Sequence, residues 1–407
     1  MTPASAPSVL RAHRAARAAV AALFLTNGAI LANLLPRYPQ IKADLGLSNA
    51  QYGLAVASFP FGALMAGLAA GALIRRFRSS RVAVAGTMLT GLGLLFAGLA
   101  PSWLSLATML FLAGSMDAIT DVAQNAHGLR VQRLYGRSIL NSFHALWSVG
   151  AVVGGLMGGL AAGLAVPRGL HLGFSALLFS AVSLTALRFL LPGPESSDVS
   201  SPDAHVEGAA TKRGTGRWPL MLSMAALTLI AASGVLVEDA GMTWAAVYLS
   251  GTLGASAAVA SFGYVALVGA QFIGRLFGDR LVDRFGQRAV ARTGGALAAL
   301  GMGGALLLPS VPATIVGFAF AGFGVATLVP AAMHGADELP GLRPGTGLTV
   351  VSWLMRLGFL LSPPVVGLIA DAAGLRVGLL VVPLAGGMVM ALAGVLSAKR
   401  VSGRRGG

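Results

Sequence analysis

The stretch SWLSLATMLFLAGSMDAITDVAQNAH, residues 102–127, carries no charge over its first fifteen residues and then places two aspartates in quick succession. At about 100° per residue, Asp117, Asp121 and Asn125 fall on one side of a helix, and Thr120, Gln124 and His127 widen that side to roughly half the circumference. The other half is Ala, Ile and Val. Near the centre of a bilayer each ionised aspartate costs on the order of 2.5 to 3.5 kcal/mol on insertion scales. A helix of this kind must turn its acids toward protein or water, and function is the usual reason for keeping them.

The rest of the chain agrees with a membrane reading. Hydrophobic residues make up 56% and charged residues 11% of the 407, with a mean hydropathy of +0.78. Soluble domains carry about 25% charged residues. The apolar blocks are about 20 residues or longer, the length a helix needs to span, whereas a barrel would show alternating strands of roughly 10 residues. Twelve helices are expected, at 17–38, 52–74, 82–100, 103–130, 138–165, 170–191, 218–249, 257–282, 289–309, 311–334, 345–371 and 375–398.

The net charge of +15 raises the question of a nucleic-acid partner, and its placement answers it. Arg11, Arg14 and Arg17 precede the first expected span, Arg75, Arg76, Arg78 and Arg81 follow the second, and Arg130, Arg133 and Arg137 follow the fourth. Lys212, Arg213 and Arg217 lie between the sixth and seventh, Arg284, Arg288 and Arg292 follow the eighth, and Lys399, Arg400, Arg404 and Arg405 close the chain. The opposite loops hold only Arg37, Lys42, Arg168 and Arg376. This is the positive-inside pattern, so both termini are expected in the cytoplasm of a bacterial inner membrane, with lipid rather than nucleic acid as the partner. RAHRAAR before AAVAALFLTNGAILA imitates a signal peptide, but its cleavage would leave eleven spans and break the repeat described next. The absence of cysteine means no disulfides.

LGLS at 45–48 returns as LGAS at 253–256, an offset of 208 residues (253 − 45). The same register carries Leu73 to Leu281, Arg76 to Arg284, Phe77 to Phe285, Ala113 to Ala321, Gly114 to Gly322, Gly150 to Gly358 and Gly159 to Gly367. A duplicated six-helix unit follows. The expected organisation is an N-terminal bundle over 1–191, a cytoplasmic linker over 192–217 and a C-terminal bundle over 218–407. The linker is rich in Pro, Gly, Ser and mixed charge and cannot bury enough apolar surface to fold.

Two six-helix halves joined this way resemble the major facilitator superfamily, and the likeness covers nearly the whole chain. GDRLVDRFGQR (278–288) is similar to that family's loop signature, carried here by Asp283, Arg284, Gly286 and Arg288. The resemblance implies a gating loop whose acid and bases stabilise one conformation. Its first-half counterpart, GALIRRFRSSR (71–81), keeps Gly71 and Arg76 but has Arg75 where the acid belongs and Arg78 where the second Gly belongs. Positive charge that only sets topology is the favoured reading of this first loop and the lesser alternative for the 278–288 loop. In the fifth span, Gly150, Gly154, Gly158 and Gly159 match the spacing of the superfamily's antiporter signature, with Gly155 in place of its proline; close helix packing is the alternative. The eleventh span holds Pro363 and Pro364, which should kink it. DVAQNAH, FHALWSVGAVVGG and GRLFGDRLVDRFG are similar to a bacterial branch that includes rhizopine-transport membrane proteins and relatives of sugar permeases. That implies small polar solutes, sugar- or polyol-like.

In this family the first, fourth, seventh and tenth helices line a central cavity, so the polar side of the fourth would face water and substrate. A carboxyl that is alternately wetted and desolvated can take a proton on one side and release it on the other. Asp117 and Asp121 lie roughly 20 and 14 Å from the cytoplasmic helix end and suit one relay. Glu238 and Asp239 of the seventh span align with Ile30 and Leu31 of the first. Adjacent residues diverge by about 100°, so one of the two is expected to serve the cavity and the other to face the eleventh span. There Arg356 is deeply placed and expects a carboxylate from the fourth or seventh span, or an anionic substrate. Arg275 lies nearer a helix end and is expected to snorkel. Candidate substrate contacts are Asn27, Asn33, Gln124, Asn125, His144, Trp147, Trp244 and Arg356, with packing or interhelical hydrogen bonding as the competing role for the asparagines, His144 and the tryptophans.

The expected function is secondary active transport of a small organic solute coupled to protons, by alternating access in a monomer. An efflux antiporter is the first alternative, and a sensor or lipid-moving protein on the same fold the second. No phosphate-binding loop, metal-ligand cluster or catalytic triad can be assembled, so no enzyme, cofactor or metal is expected.

Overall fold

Ser48 accepts a hydrogen bond from the Gln51 backbone while the Gln51 side chain accepts from the Ser48 N–H, a capping box that starts a helix at Asn49. Ser310 caps Val311 in the same sense, accepting from Ala313 N–H, with proline in the first turn. Such local signals, between apolar runs, set the helix starts in a computed structural model that describes residues 6–135, 139–193, 217–340, 342 and 345–397.

Twelve helical spans are long and apolar enough to cross a membrane among the described residues. They are α1 (His13–Asp44), α2 (Asn49–Phe77), α3 (Ser79–Gly98), α4 (Trp103–Tyr135), α5 (Leu140–Gly163) and α6 (Arg168–Leu187), then α7 (Trp218–Gly251), α8 (Ala257–Phe285), α9 (Gln287–Leu307), α10 (Val311–Asp337), α11 (Thr346–Ala373) and α12 (Leu375–Val395). The chain is therefore an all-helical, multi-pass membrane protein. The α10 helix is interrupted after Val325 and resumes at Leu328. Pro363 and Pro364 lie inside an α11 that stays one uninterrupted helix. Most of the expected linker, with Lys212 and Arg213, lies outside the described residues, as do Arg137, Lys399, Arg400, Arg404 and Arg405.

The 208-residue register reappears in the backbone. Gly46 and Gly254 (46 + 208) take φ +60° and +68°, and Arg78 and Gly286 (78 + 208) take φ +73° and +84° immediately before α3 and α9. Gly114 has no room for a side chain against the Phe59 carbonyl, and Gly322 none against that of Leu267, again 208 residues on at both partners. Two chains of contacts built on one register are difficult to obtain except from a repeated unit.

The described residues form two compact units: those up to 193 together with Ala246–Val265, and those of 217–245 together with 266–397. In the first, α1 and α5 meet backbone to backbone: Gly28 lies against the Trp147 carbonyl, Gly150 against that of Leu25 and Gly154 against that of Ala29. Gly158 abuts the Asn33 carbonyl and Pro36, while Gly155 and Gly159 abut Tyr264 and Ser261 at the start of α8. The glycines of the antiporter-like spacing are thus occupied by helix contact. In the second unit, Gly294 and Gly324 bring α9 and α10 together in the same manner.

Candidate functional site

The tight α1–α5 contact sets Asn27 among three helices. Its Nδ2 donates to Asp117 Oδ1 of α4 at 2.8 Å, and its Oδ1 accepts from Trp147 Nε1 of α5 at 2.8 Å. Asn27 is 6% exposed, Asp117 and Trp147 are partly exposed, and Asp121, one turn further along α4, is exposed. Asn125 donates through Nδ2 to Asp121 Oδ1 at 3.0 Å. The polar half of α4 is therefore divided. Asp117, Asp121 and Asn125 make an accessible stripe, while Thr120, Gln124 and His127 are fully buried in the bundle. His127 Nδ1 pairs with Ser79 Oγ at 2.9 Å and its Nε2 accepts from Leu191 N–H at 3.1 Å, which ties α4 to the start of α3 and the segment that follows α6.

Several residues expected at the substrate are elsewhere. Asn33 is wholly enclosed, and its Oδ1 takes both His171 Nε2 (3.0 Å) and Ser175 Oγ (3.1 Å) from α6 while Nδ2 donates to the Ala29 carbonyl. It joins α1 to α6 and offers a solute no surface. Gln124 and Trp244 are likewise fully buried and offer a solute no surface. His144 is exposed and sets its ring edge-on to Phe24 at 5.1 Å.

In the second unit the neighbouring acids of α7 diverge as their spacing requires. Glu238 Oε2 accepts from Gln271 Nε2 at 2.6 Å and lies 3.6 Å from Arg275 Nη2, both on α8. Arg275, expected to snorkel, instead pairs with an acid. Asp239 is 7% exposed, flanked by Ser362 of α11 and Thr243, and its Oδ2 has no hydrogen-bond partner among the described residues. The acid that faces α11 thus meets Ser362 and not Arg356. Arg356 is exposed and makes no ion pair among the described residues.

The loop residues divide similarly. Arg288 donates from Nε to the Leu396 carbonyl (3.1 Å) and from Nη2 to that of Gly394 (2.6 Å), closing the end of α12. Asp283, Arg284 and Arg76 are exposed, and Gly71 is partly buried.

Sequence reasoning missed Gln271 and left Arg275 out of the site. Their four-residue spacing on α8, a polar pair on one helix face, was the available signal. It also missed the buried cluster around Arg37, whose Nε donates to His171 Nδ1 (3.3 Å) and whose Nη2 donates to the Val166 carbonyl (2.9 Å). Nothing in a loop position flagged that arginine as buried.

The family model of the Major Facilitator Superfamily matches residues 20–276 and 239–406. The chain belongs to the major facilitator superfamily. It is a transporter of small solutes and not an enzyme. It is 32% identical over 384 residues to the "uncharacterized transporter y4wD" of Sinorhizobium fredii, covering 93% of this chain and 97% of the relative. It is 29% identical over 386 residues to "membrane protein MosC" of Rhizobium meliloti, covering 95% and 91%. Among solved structures, a bacterial homologue of the human lysosomal transporter Spinster superposes with a TM-score of 0.72 at 15% identity, covering 96% of this chain and 98% of that one. At that identity the likeness is one of fold.

Proposed function

We propose that this superfamily member is a proton-coupled secondary transporter of a small organic solute, working by alternating access in a bacterial cytoplasmic membrane with both termini in the cytoplasm. The observation that carries the reading is the α4 stripe. Asp117 is held by Asn27 at the junction of α1, α4 and α5, with Asp121 exposed one turn away. A carboxyl kept at membrane depth, hydrogen-bonded to a neutral partner and with no paired cation among the described residues, can lose its charge by taking a proton, and it lies beside a second acid able to pass that proton on. Asp239 has the same character in the second unit: it is buried and, among the described residues, has no cation and one oxygen unpartnered. Glu238, paired with Arg275 and Gln271, suits a structural role better. The one-sided distribution of arginine supports the cytoplasmic termini.

The test uses purified protein in liposomes with an internal pH dye and an imposed solute gradient. Asp117→Asn and Asp121→Asn are each expected to reduce solute-driven proton movement at least tenfold while the protein still inserts and elutes as a folded species. Unchanged proton movement in both variants would refute the α4 proposal. The sign of the dye response distinguishes uptake with protons from exchange against them.

A further inference from the structure

We infer that the solute is an organic carboxylate, bound through the Arg356 guanidinium with Trp353 beside it on α11. The inference rests on the transport reading and specifies its substrate class. Arg356 lies ten residues into α11 (356 − 346), about 15 Å along a helix at 1.5 Å per residue. An arginine at such depth is retained only where it meets a counter-charge or water inside the protein. None of the acids of α4 and α7 forms an ion pair with it among the described residues. Asp117 bonds to Asn27, Asp121 to Asn125, Glu238 to Gln271 and Arg275, and Asp239 is flanked by Ser362 and Thr243. Among the described residues Arg356 is in no ion pair and is exposed, so its charge is available to a ligand.

The rest of α11 sharpens the chemistry. Gly358 packs toward Val235 of α7 and Ser362 toward Asp239, while Trp353 and Arg356, three residues apart, share a different, accessible side of the helix. Trp353 is 57% exposed. An indole and a guanidinium on adjacent turns fit a solute with a ring or hydrocarbon body and an anionic end. Arg356 is the only lysine or arginine in α11. A single guanidinium matches the single charge of a carboxylate, to which it can donate two parallel hydrogen bonds, better than it matches a phosphate dianion. A proton carried by an aspartate would make the co-transported pair electrically neutral.

The test is binding and flux with full-length protein in liposomes, using matched probes: glucuronate, glucose and glucose 6-phosphate, and 4-hydroxybenzoate with 4-hydroxybenzamide. The expected result is saturable tryptophan quenching and flux with at least one carboxylate and none with its neutral partner. Arg356→Gln should raise the half-saturating concentration roughly 10- to 100-fold, and Arg356→Lys, which keeps the charge without the fork, should raise it less. Trp353→Phe should remove most of the quenching signal. Neutral probes moved as well as acids, a phosphate ester preferred, no carboxylate binding at 10 mM, or an Arg356→Gln variant that folds and binds the acid unchanged would each overturn the inference. Flux of a neutral solute with protons would overturn it and leave the coupling proposal standing. Carboxylate flux without proton movement would do the reverse.

Discussion

Asn27 makes two hydrogen bonds at the α4 site, donating one to a carboxyl and accepting the other from an indole. Replacing it by alanine leaves Asp117 and the Trp147 N–H without their partners at once, whereas Trp147→Phe removes only the second bond. Loss of a hydrogen bond to a charged group costs about 1.5 to 3 kcal/mol. We therefore expect Asn27→Ala to lower proton-coupled flux by one to two orders of magnitude and Trp147→Phe by much less, measured in the same vesicles. Equal losses would mean that the indole, not the carboxyl, is what Asn27 serves. Asn27 was legible in the sequence as a polar residue in a greasy span. Its role was not, because its partners lie 90 and 120 residues away, and no local pattern encodes that distance.

At the scale of elements, the turn before α3 is informative because its repeat mate solves the same problem differently. Gly286 enters α9 at φ +84° without a side chain to object, while Arg78 enters α3 at φ +73°, ψ +144°, a region that is close to glycine-only. Such a conformation costs on the order of 1 to 3 kcal/mol in a non-glycine residue. Arg78→Gly is thus expected to raise the detergent melting temperature, and Gly286→Ala to lower it, with Arg75 and Arg76 keeping the local positive charge. A lower melting temperature for Arg78→Gly would show that the guanidinium contributes more than the backbone loses. The departure from the loop signature at Arg78 was visible in the sequence; the price it exacts is visible only in the dihedral. The length of the apolar blocks found all twelve spans, yet the burial of Asn33, Gln124 and Trp244 depends on which neighbour each helix face meets, and that is a tertiary matter.

For the whole molecule, the span count, the superfamily and the repeat were readable because bilayer thickness and charge asymmetry act on every segment alike. The pairing of Glu238 with Arg275 and the lack of an ion pair at Arg356 among the described residues were not, since they depend on rotation of α7, α8 and α11 about their own axes. The linker offers a test at this scale. Deleting residues 196–212, a stretch of low apolar content, should leave solute flux within about twofold of the full chain if the loop is only a connection. A complete loss with the protein still inserted would favour an output role for that segment and thereby the sensor reading.

The Glu238–Arg275 pair has one more consequence, in the electrical economy of the membrane. Moving one elementary charge through a potential of 100 mV involves about 2.3 kcal/mol. A carboxylate and a guanidinium on adjoining helices sum to zero, so the field exerts almost no net force on them. Membrane voltage then acts on charges outside that pair, Asp117, Asp239 and Arg356 among them, and the voltage dependence of turnover becomes a readout of the charge state of such side chains.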